Sequence, residues 1–160
     1  MFESCYTPAD VAYLLRCRYG LPIEFVAARP AVICGPGIGA VTMPTDLGDR
    51  VLGLLDGRSP VVANPRETAW TFLVAPGPPD RTSPRTPRNP AVIVHAPGYR
   101  VLMPMSDHGF GWRWACEPIA GPPRLPSCGR VLDLVAEATA GVLVGAGQAG
   151  VRPEKSRSTT

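Results

Sequence analysis

"PGYRVLMPMSDHGFGWRW", residues 97–114, is the stretch on which the fold turns. Large apolar residues recur at every second position on both sides of a polar tetrapeptide, Ser106-Asp107-His108-Gly109. Alternation at period two marks a strand with one buried face. Folding the stretch back on that turn pairs residues 99–105 with residues 110–116 as an antiparallel hairpin. In that register Tyr99 meets Cys116, Val101 meets Trp114, Met103 meets Trp112 and Met105 meets Phe110, all on one side. Arg100, Leu102 and Arg113 fall on the other side. Pro104 has no N–H to give to a ladder and needs an edge or a non-bonded position. The aromatic side is read as core rather than as a base-stacking platform, since Trp and Met at strand spacing are usually buried.

Working back towards the N-terminus, "AVIVH" (91–95) is a further strand. Residues 77–90, "GPPDRTSPRTPRNP", carry five prolines and three arginines without a large apolar side chain, so an exposed loop is expected. "TAWTFLVAP" (68–76) is a strand with Trp70, Phe72 and Val74 on one face and Thr71 and Leu73 on the other. "PVVANP" (60–65) is a short buried strand between prolines. "PTDLGDRVLGLLDG" (44–57) is a helix, with Asp46 and Asp49 in its first turns and Leu47, Val51, Leu54 and Leu55 as its apolar stripe. The glycines of "GPGIGAVTMP" fall at 35, 37 and 39, which does not fit G-x-G-x-x-G, and "AVTM" follows them as a strand rather than a helix. They are read as a turn. "IEFVA" (23–27) and "AVIC" (31–34) are strands, and "TPADVAYLLRCRYG" (7–20) is a helix capped by Thr7 and stopped by Gly20.

Beyond the hairpin, "EPIAGPPRLPS" (117–127) is a loop and "SCGRVLDLVAEATAGVLVG" (127–145) a helix with Ser127 as its N-cap. The whole reads as one α+β domain over residues 1–145, a mixed or antiparallel sheet flanked by helices, with a disordered tail over 146–160.

Composition narrows the classes. Apolar residues make up 45% and charged residues 18%, a globular balance. The net charge is +3, but the 81–88 segment and the tail hold much of the basic excess, so little remains for the folded part and the charge argues little for nucleic acid by itself. Five cysteines, Cys5, Cys17, Cys34, Cys116 and Cys128, form no C-x-x-C pair, so free thiols are expected and no metal or cofactor. No apolar run has the length of a membrane span, and "MFESCYTPAD" lacks the features of a signal peptide. The cytoplasm is the expected compartment.

Three side chains stand out as candidates for a nucleotide or phosphate site: Arg100 and Arg113, which share the polar face of the hairpin, and His108 beside Asp107 in the turn. His95, at a strand end, is assigned a structural role.

In their order and spacing, "AVTMPTDLGDRVLGLLDG", "PVVANP", "TAWTFLVAP", "PGYRVLMPMS" and "GWRWACEP" resemble the N-terminal prim-pol domain of bifunctional DNA primase/polymerases, in the short stand-alone form common in actinobacteria. The resemblance covers roughly residues 20 to 140. It implies an archaeo-eukaryotic primase fold whose sheet lines a nucleotide cleft. It also implies an Asp-x-Asp pair at the end of the strand "GAVTMP", a histidine before "TAWTFL" and a third carboxylate before the Gly-Tyr strand. Here Val41 to Met43 carry no carboxylate, no histidine lies between 60 and 75, and Val92 stands near the third position. The expectation is therefore a catalytically inactive domain that keeps the scaffold. Its role would be binding or regulation linked to DNA metabolism or a mobile element, with nucleic acid, a nucleotide or a protein as partner.

Two alternatives accompany this reading. One is a partner-binding scaffold without nucleic-acid function, using the arginine loop and the tail. The other is an active primase-polymerase with displaced carboxylates drawn from Asp46, Asp49 or Asp107.

Overall fold

The computed structural model describes residues 2, 5–56, 59–77, 89–106 and 111–146, with the side chains of 141–146 excepted. Residues 78–88, 107–110 and 147–160 lie outside the described residues, and with them most of the loop expected over 77–90, most of the turn expected over 106–109 and nearly all of the tail expected over 146–160.

The first helix, α1 (Pro8–Tyr19), starts where its sequence dictates. Thr7 accepts from the Asp10 backbone N–H at 3.2 Å, and the Asp10 carboxylate accepts from the Thr7 backbone N–H at 2.8 Å. This reciprocal capping box satisfies two donors that the helix leaves unpaired. Gly20 ends it in the left-handed conformation, φ +62°, and a Cβ there would stand 2.8 Å from the Pro123 ring. Glycine is thus required twice over at this position.

Two strands follow as a hairpin, β1 (Ile23–Val26) and β2 (Arg29–Ile33), closed by Val26 opposite Arg29. Ala27 and Ala28 make the two-residue turn with φ of +49° and +61°. Next come β3 (Gly39–Pro44), α2 (Thr45–Leu54), β4 (Val61–Ala63) and β5 (Ala69–Val74). The later elements are β6 (Ile93–Val94), β7 (Arg100–Leu102), β8 (Arg113–Cys116) and α3 (Cys128–Ala146), whose first turn is capped by Ser127.

The strands form two antiparallel sheets, one of order β1-β2-β7 and one of order β6-β3-β5-β4-β8. The α+β class expected from sequence is the class found. The larger sheet is covered on both faces. One face, with Ala40, Val62 and Leu73, packs against α1 and the small sheet through Leu15, Val32, Val101 and Met103. The other, with Val41, Met43, Val61, Phe72 and Val74, packs against Leu47 and Val51 of α2 and Val131 and Leu134 of α3. Gly48 lets α2 approach closely, since a Cβ there would meet Trp70 at 3.0 Å.

The 99–116 hairpin does not form. β7 pairs with β2 in the small sheet and β8 pairs with β4 in the large one. The burial pattern behind the expectation is present in part, and Phe110 lies outside the described residues. Val101 and Met103 are buried in the core between the two sheets, and Trp112 and Trp114 pack against it half-buried. Residues facing one another across a core show the same period as residues facing one another along a ladder, so periodicity gives the shared side and not the pairing partner. Cys116 and Tyr99 depart from the stripe. The ladder shifts between Val61 and Val62, placing Ala115 as an extra residue, so Cys116 packs on the α2/α3 side. Tyr99 is 41% exposed. The strand expected over 91–95 is reduced to Ile93 and Val94, both exposed at the sheet edge.

Candidate functional site

The order β6-β3-β5 brings three polar side chains into line. Thr42 on β3 stands directly opposite Thr71 on β5, and their hydroxyls are 2.9 Å apart. The Thr42 hydroxyl also lies 2.8 Å from Nε2 of His95, which follows β6. The His95 backbone N–H donates to the Ala40 carbonyl at 3.0 Å and fixes the residue beside β3. Against its ring lies Tyr99, with centroids 3.5 Å apart and planes within 9°. Tyr99 is itself anchored, because its carbonyl accepts from the Cys34 backbone N–H at 2.8 Å.

Burial holds the His95 imidazole below its ordinary pKa. At neutral pH the ring is therefore uncharged, with one nitrogen a donor and the other an acceptor. His95 also borders a cleft of about 200 Å³ with Cys34, Gly39, Val74, Val94 and Cys128. Burial pushes the thiols of Cys34 and Cys128 up, so both stay protonated and neither is an activated nucleophile. An uncharged Thr–Thr–His line with two neutral thiols can orient hydrogen bonds and support a planar ring. Among the described residues no group of three His, Cys, Asp or Glu side chains is placed to hold a metal ion. In the same residues no helix is long and apolar enough to cross a membrane.

The residues singled out from sequence are dispersed. Arg100 is exposed on β7, in the small sheet. Arg113 is on β8, in the large sheet, where its Nε donates to the Glu67 carboxylate at 2.5 Å. They do not share a hairpin face, because the hairpin that was to align them is absent. His108 and Asp107 lie outside the described residues. Glu67 sits at a tight turn with φ +54°, its backbone N–H donating to the Asn64 carbonyl. The hydrogen bond and charge of Arg113 hold its carboxyl below the usual range. Asp46 pairs with Arg50 at 3.7 Å on the exposed side of α2.

The positions that the family resemblance gives to carboxylates are core. Val41, Met43 and Val92 are 0%, 1% and 4% exposed. Sequence reading assigned His95 a structural role and did not see its partners. Thr42, Thr71 and His95 are far apart in the chain, and only the strand order makes them neighbours. Comparison of the chain with family models, with curated proteins and with solved structures returned no match.

Proposed function

We propose that this chain is a catalytically inactive domain of the primase-polymerase type that binds single-stranded nucleic acid or a nucleotide, with Tyr99 as its base-stacking surface. One observation carries the reading. Tyr99 is 41% exposed, its ring is backed by His95 and is held through His95 to Thr42 and Thr71. Single-strand binders pair aromatic rings that stack on bases with basic groups that meet phosphates, and the residue that follows Tyr99 in the chain, Arg100, is an exposed arginine. The role in DNA metabolism or a mobile element comes from the sequence resemblance.

Inactivity is supported by the chemistry of the strands concerned. Nucleotidyl transfer with two metal ions needs carboxylate oxygens around the reacting phosphate. Apolar side chains fill the three corresponding positions, and Glu67 is committed to Arg113.

The test is a titration of labelled oligothymidylate at several salt concentrations. Tyr99→Ala is expected to weaken binding about tenfold or more. Arg100→Ala is expected to flatten the salt dependence by about 0.7 of a log unit, one phosphate contact on a single strand. Equal binding by the parent and Tyr99→Ala would sink the stacking role. Magnesium-dependent incorporation of nucleotide, lost in Glu67→Ala, would sink the inactivity.

A protein partner is the second reading, favoured by Ile93 and Val94. Both are exposed on the strand that ends the larger sheet among the described residues, and sheet edges accept a further strand.

A further inference from the structure

A second cleft, of about 500 Å³, lies between the end of α2 and the loop 118–126, away from the His95 line. We propose that it binds a small amphipathic carboxylate, an apolar chain or ring ending in one negative charge. Its size falls within the usual range for small-molecule sites. Leu55, Ile119, Leu125 and Pro126 make apolar walls, and the polar lining residues are Ser59 and Arg124.

Two observations give the ligand its chemistry. Ser59 is 1% exposed, and its hydroxyl is buried with no hydrogen-bond partner among the described residues. Buried hydroxyls are normally paired, so an orphan in a cleft wall marks a place for a ligand oxygen or a water carried with it. Arg124 is exposed, and among the described residues it has no ion-pair partner and no acidic residue lines the cleft. A guanidinium with free donors fits a carboxylate two bonds at a time. Among the described lining residues Arg124 is the one cation, and one cation beside apolar walls suits a singly charged, mostly apolar molecule better than a polyphosphate.

The loop is also held in place before any ligand arrives. The Gly121 backbone N–H donates to the Arg18 carbonyl at 2.7 Å, and the Ala75 backbone N–H donates to the Pro126 carbonyl at 2.9 Å. Prolines at 118, 122, 123 and 126 limit its backbone further. A wall ordered in advance loses less entropy on binding.

The inference stands apart from the nucleic-acid reading and is tested separately. Sodium octanoate is titrated into the full chain by calorimetry, with octanamide as the uncharged control. Saturable octanoate binding is expected, with octanamide binding at least tenfold weaker. Arg124→Ala, an exposed change, is expected to weaken octanoate to the octanamide level, and Leu125→Trp to abolish binding by filling the cleft. The parent's melting temperature should rise with octanoate, and that of the Leu125→Trp variant should not. No saturable binding by the parent would overturn the proposal, as would octanoate binding unaltered in both variants.

Discussion

On the face of the five-stranded sheet that meets α2 and α3, the core residues are all apolar: Val41, Met43, Val61, Ala63, Trp70, Phe72 and Val74. On the opposite face Ala40, Val62 and Leu73 are joined by Thr42 and Thr71, with His95 bonded to Thr42. The same three neighbouring strands supply both. The helical face does one thing, which is to exclude water. The other face gives up part of that gain by placing hydroxyls and an imidazole where methyl groups would pack. Polar groups among packed apolar ones persist when they are mutually satisfied, and here each hydroxyl has a partner. The contrast separates a face that holds the fold from a face that has chemistry to offer.

The largest effect expected is on the helical face. Phe72 is fully buried on the central strand, and Phe72→Ala should cost about 3–5 kcal/mol in urea unfolding. A loss below about 1 kcal/mol would mean that this face is not the packed one. The second effect tests the same face from the helix side. Gly48→Val puts a branched side chain where a Cβ alone already stands 3.0 Å from Trp70, so overpacking should cost about 1–3 kcal/mol. If the variant melts like the parent, α2 is free to move away from β5.

How much of this was legible follows from where each signal resides. Local signals were read correctly: Thr7 and Asp10 three residues apart wrote the start of α1, and the alternation of Trp70 to Val74 wrote β5 and assigned its two faces. The pairing partners of β7 and β8 were not legible. Val101 and Trp114 share a core but belong to different sheets, and no local pattern distinguishes that from a hairpin. The turn at Ala27 and Ala28 was invisible for a related reason. Two left-handed residues in a two-residue hairpin usually appear as Asn-Gly, and alanine gives no such mark. The Thr42–Thr71–His95 line depends wholly on the order β6-β3-β5, so it could be found only after folding.

On the polar face the expected effects are smaller and unequal. The Thr42 hydroxyl serves both Thr71 and His95, so Thr42→Val removes a partner from each and should cost about 1–3 kcal/mol. Thr71→Val leaves the Thr42–His95 bond in place and should cost less. The double variant should cost less than the sum of the two, because Thr71 no longer contributes an orphaned hydroxyl. Strict additivity in urea unfolding would show that the two hydroxyls do not act together.

The smallest effect expected is the pH dependence that His95 brings to this face. Burial holds its imidazole below the ordinary value of 6.5, so the folded protein resists a proton that the unfolded chain accepts. The unfolded state then binds more protons, and stability rises with pH across the window. The contribution is present in full above the unfolded value and is lost as pH falls through the lower folded value. Other shifted groups act elsewhere. Cys34 and Cys128, which share its cleft, are pushed upwards, and Asp10 and Glu67 are held below 3.8 and 4.5. Urea midpoints measured from about pH 8 to about pH 5 should therefore fall towards the acid end, in the range where histidine titrates. His95→Gln keeps a donor and an acceptor but cannot titrate, so it should flatten that fall while leaving the neutral-pH midpoint closer to the parent than Thr42→Val does. A fall that persists unchanged in His95→Gln would put the proton uptake on another group. The polar face would then be no more sensitive to acid than the apolar one.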